Sequence, residues 1–199
     1  CCEASKQEII RRYYTCLNQY VQGDASEDEV SNIELLMQQA KISTDFRAVT
    51  QAAKARAEKE KVPTAAIELA DGTIITSKTT PLLGTSAALL LNATKHLAGI
   101  DHKVKLIPKE MIEPIQQMKV ELLSGNNPRL HTDEVLVALA MLSKDDENCK
   151  KALEQLANLK GCQVHTSVML SEVDRKIFKK LGVDLTCEPV YKKQKPLIS

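Results

Sequence analysis

The chain has 199 residues, which is enough for one large domain or two small ones and for a buried core that needs no disulfide or metal. Its 27 Lys and Arg side chains nearly balance its 26 Asp and Glu side chains, and aromatic residues make up only 3%, so no basic field or stacking platform for nucleic acid is present. No apolar run approaches the roughly 20 residues that a membrane helix needs, so we expect neither nucleic acid nor a membrane as a partner.

The first third of the chain is predicted to be helical. Apolar residues recur at helical spacing over 3–22. Ser26 and Glu29 have the spacing of a capping box that begins a second helix. A third helix, over about 46–61, is rich in Ala, Lys and Glu, and Pro63 stops it.

A β-hairpin is predicted directly after these helices. Two short β-prone runs, near 65–69 and 73–77, flank Asp71 and Gly72. An Asp-Gly pair in this setting predicts a two-residue type I′ turn, in which both turn residues have positive φ.

Three helices are predicted in the middle of the chain. The helix over 85–97 is apolar nearly all round and should therefore lie in the centre of the domain. Pro108 fits the N1 position of a helix over about 108–123. Thr132 is the predicted N-cap of a helix over about 132–143.

The last part of the chain alternates helices and strands. A helix over about 146–159 precedes a strand over 163–170, which we expect in the middle of the sheet. Ser171 is the predicted cap of a helix over 172–181, and a short strand over 183–187 follows.

The predicted fold class is α+β (mixed α/β). A helical segment, 1–61, precedes an α+β domain, 63–191, with a small sheet of about four strands that includes the hairpin and packs with helices. Residues 192–199 are predicted to be a flexible basic tail.

The six cysteines bear on the cellular compartment of the protein, and the first residue bears on the extent of the chain. None of the cysteines lies in a CxxC pair or at zinc-finger spacing from a histidine, so we expect buried, reduced thiols in a cytoplasmic protein and no metal site. The chain opens on Cys1 and not on Met, from which we expect a trimmed or partial chain.

The segment between the second hairpin strand and the helix over 85–97 is the first candidate binding site. Free backbone N–H groups at a helix start, with hydroxyls and an ammonium nearby, can hold an anion such as a phosphate. The residues concerned are Lys78, Thr79, Thr80, Gly84, Thr85 and Ser86. The alternative is a helix start that is merely capped by Thr or Ser.

Two similar tripeptides, each with a central histidine, are the second candidate. His131 and His165 could act as acid or base near neutrality, and Asp133 and Ser167 are close in sequence. The alternative is that His131 helps to cap a helix and His165 is a satisfied core residue. A metal site made by both histidines and Asp133 is not predicted, because nothing sets their separation.

Several stretches resemble one bacterial family, known as the domain of unknown function 1846 family or uncharacterised protein family 0371. They are EASKQEIIRRYY at 3–14, IELLMQQA at 33–40, AAIELADGTIITSKTTPLLGTSAALLLNATKHLAGI at 65–100, NPRLHTDEVLVALA at 127–140, and GCQVHTSVMLSEVD with KLGVDLTCEP at 161–189. The resemblance implies a cytoplasmic bacterial protein, an oligomer, and a chain matching about the last two fifths of longer members. Those members carry an upstream α/β region with a Gly-rich, phosphate-loop-like stretch. Some are labelled ATP-dependent peptidases, but no residue here supports peptidase chemistry, and the resemblance assigns no catalytic residue.

The leading hypothesis is therefore a C-terminal domain that contributes core, oligomer contacts and one wall of a ligand cleft. The alternative is part of a nucleotide- or phosphate-handling transferase or hydrolase, with an anion-binding helix start at 78–86 and His131 or His165 as acid or base. A third hypothesis is an interaction module that uses the helices of 1–61. The expected partners are a second copy of the chain, the upstream α/β region and a phosphate-containing small molecule; the sequence leaves the cofactor unknown.

Overall fold

A four-stranded mixed sheet forms the centre of the computed structural model, which describes residues 2–190. Its strands are β1 (Thr64–Glu68), β2 (Ile74–Lys78), β3 (Gln163–Thr166) and β4 (Asp184–Cys187), in the spatial order β2-β1-β3-β4. β1 is antiparallel to both of its neighbours, and β3 and β4 are parallel. β2, β3 and β4 therefore run in one direction, and we call the edge where they end, at Lys78, Thr166 and Cys187, the carboxyl edge.

Helices lie on both faces of this sheet. Within the described residues they are α1 (Glu3–Gln22), α2 (Glu27–Gln39), α3 (Ala48–Glu60), α4 (Thr85–Leu97), α5 (Lys109–Gln117), α6 (Thr132–Leu142), α7 (Glu147–Glu154) and α8 (Glu172–Lys180). A π-helical turn, Met118–Leu122, extends α5. The α+β class and the interior position of β3 are confirmed. The predicted tail, 192–199, lies outside the described residues, and no helix within them is both long and apolar enough to cross a bilayer.

One face of the sheet is apolar and carries the main core. Ile67 on β1 and Val164 on β3 pack against Leu89 of α4 and Phe178 of α8, and all four side chains are fully buried. Because successive side chains of a strand point to opposite faces, the residues between them face the other way.

The opposite face carries polar groups under α1 and α3. Ala66 packs against Val49 and Ala53 of α3, whereas His165 lies against the ring of Tyr14 of α1. Helices of the predicted 1–61 segment thus lie directly on the sheet. The boundary near residue 62 stays a prediction.

The hairpin turn differs from the type I′ prediction. Only Gly72 has positive φ, at 81°. The Gly72 N–H donates to the Leu69 carbonyl (2.9 Å), and the Leu69 N–H donates to the Thr73 carbonyl (2.9 Å). A four-residue β-turn therefore starts at Leu69, with Asp71 as its second central residue. Gly72 follows in the left-handed conformation, as in three-residue hairpin loops.

The caps of three helices differ from the predicted ones. Pro108 is an N-cap, not N1, because its ψ of 151° is extended. His131, not Thr132, is the N-cap of α6. The Thr132 N–H donates to the Asp174 carboxylate, so this N–H has a partner and Thr132 is the first residue of the helix. Gly84, not a Thr or Ser, is the N-cap of α4.

The strand predicted over 163–170 is also shorter than expected. It ends at Thr166, whose hydroxyl donates to the Val168 carbonyl (2.8 Å) and turns the chain out of the sheet.

Candidate functional site

Three helices begin close to the carboxyl edge and bring their connecting segments together. α4 follows β2, and its entry segment pairs with the segment before α6: the Gly84 N–H donates to the Leu130 carbonyl, and the Leu130 N–H donates to the Leu82 carbonyl, each at 3.0 Å. α8 follows β3, and its first turn contacts the start of α6 through Asp174. In open α/β sheets, ligands bind outside such carboxyl ends.

Asp174 is the polar centre of this region. Its carboxylate accepts hydrogen bonds from the Thr132 N–H (3.0 Å), the Thr132 hydroxyl (2.9 Å), the Ser171 hydroxyl (2.8 Å) and His131 Nδ1 (3.1 Å). Burial opposes ionisation, but the hydrogen bonds from His131 and Thr132 outweigh it and lower the pKa of Asp174 below its usual range. Asp174 is therefore an anion held in place by the start of α6.

His131 is oriented by this anion, and part of its ring is exposed to solvent. An ionised carboxylate only accepts, so Nδ1 carries the proton and Nε2 presents its lone pair to the side-chain amide of Asn127, 3.3 Å away. The ring is 28% exposed. The hydrogen bond to Asp174 raises the pKa of His131 against the opposing effect of burial. A partly exposed histidine with a fixed tautomer and only a side-chain amide at Nε2 has the arrangement of a general acid–base.

The backbone of His131 is held by a second acid. Its N–H donates to Glu134 Oε2 (2.7 Å), and the Lys119 ammonium, on the π-helical turn, contacts the same oxygen at 2.8 Å. Lys119 also donates to the Arg129 carbonyl (2.7 Å). Two hydrogen-bonded side chains, Glu134 and Lys119, therefore hold the backbone from which the His131 ring projects.

His165 lies on the face of the sheet that α1 and α3 cover, in a separate network. It is fully buried, its Nδ1 is 2.9 Å from the Thr186 hydroxyl, and its Nε2 is 3.1 Å from Glu188 Oε1. The Tyr14 hydroxyl and the Lys54 ammonium reach the same oxygen, each at 2.9 Å. Burial lowers the pKa of His165. Both ring nitrogens are engaged, so His165 is built as a satisfied core residue.

Glu188 completes that second network as its anion. Burial raises its pKa, but hydrogen bonds from His165, Lys54 and Tyr14 prevail and lower the pKa to about 2. Since Glu188 only accepts in this state, His165 carries its proton on Nε2, the opposite tautomer to that of His131.

The predicted anion-binding residues are divided between several contacts. Lys78 pairs with Glu60 (2.7 Å), and the Thr85 hydroxyl lies 3.0 Å from the Ser77 hydroxyl. Thr85 and Ser86 are nearly fully buried.

The loop ahead of α4 is held by its own contacts. The Thr80 hydroxyl accepts from the Leu83 N–H (3.0 Å), and the Thr79 hydroxyl, also buried, has no hydrogen-bond partner within residues 2–190. At Gly84, an added Cβ would lie 3.4 Å from the Leu130 carbonyl oxygen, so the close approach is made by protein backbone. Anion binding by this segment stays a prediction.

The remaining candidates take different places. Asp133 shares no hydrogen bond with either histidine, and its buried Oδ1 has no partner in the described part of the chain. Ser167 accepts from the Thr64 N–H (2.9 Å) and not from His165. The structure thus brings His131 next to the entry segment of α4 and leaves His165 apart. Sequence reasoning missed Asp174, although the Ser171-to-Asp174 spacing of a helix start was visible.

Comparisons with known proteins identify relatives over the whole chain. Residues 45–196 match the model of the C-terminal domain of unknown function DUF1846, and residues 1–41 match the model of the N-terminal domain. A UPF0371 protein of Corynebacterium urealyticum is 50% identical over 191 residues, which are 96% of this chain and 38% of that protein. Similar proteins of Corynebacterium diphtheriae (47%; 98% of this chain, 39% of that protein) and Streptococcus pyogenes (45%; 97% and 39%) bear the same family name. The chain spans about two fifths of the length of the curated relatives that it matches.

Proposed function

This chain belongs to the DUF1846 family, also named UPF0371, and from that premise we propose that its carboxyl edge is one wall of a ligand cleft in which His131 is the acid–base residue of a hydrolase or transferase. The observation that carries the proposal is the Asp174–His131 pair: the ring is held at Nδ1 by Asp174, is 28% exposed, and has only the Asn127 amide at Nε2. The proposal specifies one wall because the relatives are much longer than this chain, so residues outside it can complete the cleft.

The chemistry follows from the tautomer. Nε2 takes the proton of an attacking water or substrate hydroxyl. The oxygen of that group forms a bond to the reacting atom of the substrate, and the bond between that atom and the leaving oxygen breaks. The imidazolium then returns that proton to the leaving oxygen. Asp174 stabilises the charged ring in between, and a substrate takes the place of the Asn127 amide at Nε2.

His165 is the less suitable acid–base residue. Its ring has no exposed surface, and each of its nitrogens has a partner, so a substrate atom would have to displace Thr186 or Glu188. The alternative role of His165 in catalysis has no comparable support.

The test compares variants of the protein made in the full length that its gene encodes. Release of inorganic phosphate from ATP and from p-nitrophenyl phosphate is measured for the wild type, His131→Gln and His102→Gln. We expect a fall in kcat of at least about 100-fold for His131→Gln, because proton transfer is lost. His102, whose side chain is 87% exposed and lies outside the network, is the matched control and should leave kcat unchanged. Full turnover by His131→Gln would contradict the proposal.

We also propose that the protein is cytoplasmic and works as a homo-oligomer joined to the upstream α/β region. The buried cysteines of the described chain are free thiols, as expected in a reducing compartment. Large apolar side chains stay exposed on α2, at Leu35 and Leu36, and on α6, at Val137 and Met141. Light scattering coupled to size-exclusion chromatography should give a mass above that of one chain; a monomer at micromolar concentration would refute the oligomer.

A further inference from the structure

Arg129 projects from the same segment as His131 and on the same side. Leu130 forms a parallel bridge with Leu83 and is fully buried. In extended backbone, alternate side chains point the same way, so the neighbours of Leu130 at 129 and 131 both turn away from the core. Arg129 is half-buried, like His131, so both side chains reach the surface.

The guanidinium of Arg129 is anchored through one nitrogen only. Its Nε donates to the Thr80 carbonyl (2.8 Å), which ties it to the segment predicted to bind an anion. Its backbone N–H donates to Asn127 Oδ1 (3.3 Å), on the side chain whose amide faces His131 Nε2. Its two terminal nitrogens make no protein hydrogen bond among residues 2–190.

This arginine also has no charge partner among the described residues. No carboxylate of residues 2–190 lies within 4.0 Å of its guanidinium, whereas Arg11, Arg12 and Arg56 each contact a glutamate. Arg47, which also has no carboxylate within that distance, is buried and bonded to main-chain carbonyls. A half-buried arginine that is oriented but unpaired, beside an acid–base residue, is suited to bind an oxyanion through its planar pair of N–H groups.

We propose that Arg129 binds the phosphoryl group of the substrate, so that this site takes a phosphorylated small molecule. The inference rests on the proposed function and names its substrate class. The terminal nitrogens of Arg129 hold two phosphoryl oxygens, and the His131 ring, two residues along the same face, serves the oxygen that attacks or leaves. Lys119 does not compete for this role, because its ammonium is occupied by Glu134 and the Arg129 carbonyl.

Binding of inorganic phosphate to the full-length protein, measured by isothermal titration calorimetry, tests this role apart from catalysis. We expect Arg129→Gln to weaken binding at least about tenfold, the size of one lost charge-assisted hydrogen bond or more. Arg129→Lys, which keeps the charge without the fork, should bind with intermediate affinity. The matched control is Arg175→Gln, because Arg175 is an exposed arginine next to Asp174 that also has no carboxylate within 4.0 Å in the described chain.

Three results would overturn the inference. They are no phosphate binding by the wild type, wild-type affinity in Arg129→Gln, or an equal loss in Arg175→Gln, which would mean a diffuse field and not a site. Acetate that binds as tightly as phosphate would overturn the phosphoryl assignment. A different result would overturn the proposed function, namely full turnover by His131→Gln. The phosphate affinity of His131→Gln is expected to stay within about twofold of wild type, so binding and turnover test the two proposals separately. A melting curve for each variant shows that it is folded.

Discussion

One histidine network lies at the carboxyl edge of the sheet and the other lies on the face under α1, and the two use similar partners to different effect. His131 and His165 are each followed by a threonine, and each ring has one nitrogen 3.1 Å from a carboxylate. The ring of His131 is 28% exposed and its pKa is raised; the ring of His165 has no exposed surface and its pKa is lowered.

The difference teaches that a carboxylate neighbour does not by itself make a histidine basic. For His131 the hydrogen bond to Asp174 is the largest influence, whereas for His165 the loss of hydration is larger than the attraction of Glu188. The second nitrogen then decides what each ring can do. Nε2 of His131 faces the half-buried side-chain amide of Asn127, and Nδ1 of His165 faces the buried hydroxyl of Thr186.

The largest effect should come from removing the buried ring. His165→Ala removes one hydrogen-bond partner from Glu188 and one from Thr186 and opens a cavity beneath α1, so we expect a loss of about 3 kcal/mol or more in the free energy of unfolding. His131→Ala is the matched control, with an expected loss of about 1 kcal/mol. Urea denaturation measures both; equal losses would remove the distinction between a core histidine and a site histidine.

Asp174→Asn should have the next largest effect. The amide has one acceptor oxygen where the carboxylate has two, so the bonds from Thr132, Ser171 and His131 cannot all be kept, and about 2 kcal/mol is the expected loss. The pKa of His131, followed by NMR, should fall in this variant. An unchanged pKa would show that Asp174 does not control the ring.

A smaller effect is expected at the cap of α8. Ser171→Ala removes the oxygen that accepts the Asp174 N–H, at a cost of about 1 kcal/mol. Ser26→Ala, at the capping box of α2, should cost a similar amount but leave turnover unchanged, because it touches neither network. Only the Ser171 variant is expected to lower kcat. Equal kcat in both variants would show that the cap of α8 does not influence the proposed site.

The smallest effect is on the pH dependence of stability, and it has opposite signs for the two histidines. The folded pKa of His131 lies above its unfolded value of about 6.5, so its contribution is complete below that pH and is lost as the pH rises through the folded pKa. The folded pKa of His165 lies below its unfolded value, so stability is lost as the pH falls from about 6.5 through the folded pKa.

Thermal unfolding between pH 5 and 9 measures both slopes. His131→Gln should remove the decline on the alkaline side and keep the decline on the acid side. Glu188 adds a further loss only below about pH 4.5, because its pKa falls to about 2 in the folded state. An unchanged alkaline slope in His131→Gln would mean that His131 does not gain a proton on folding.

Much of the secondary structure could be predicted from local patterns. α1, α2 and α4 span the residues that the apolar pattern indicates, and the Ser26 capping box of α2 is present. The errors include shifts of one residue at the caps, as at Pro108 and Thr132, a strand over 163–170 that ends at Thr166, and the type of the hairpin turn. Local patterns do not resolve the cap at Thr132, because its N–H donates to Asp174, 42 residues away.

The sequence by itself determined the elements, the α+β class and the family, because helical periodicity, caps and turns depend on residues a few positions apart. Only the tertiary structure decided what the two histidines do. Their carboxylate partners lie 43 and 23 residues away, and the order of the strands places one pair at a surface and the other under a helix. Hydration and the second hydrogen bond of each ring, which set its pKa and its access, exist only once the layers have packed.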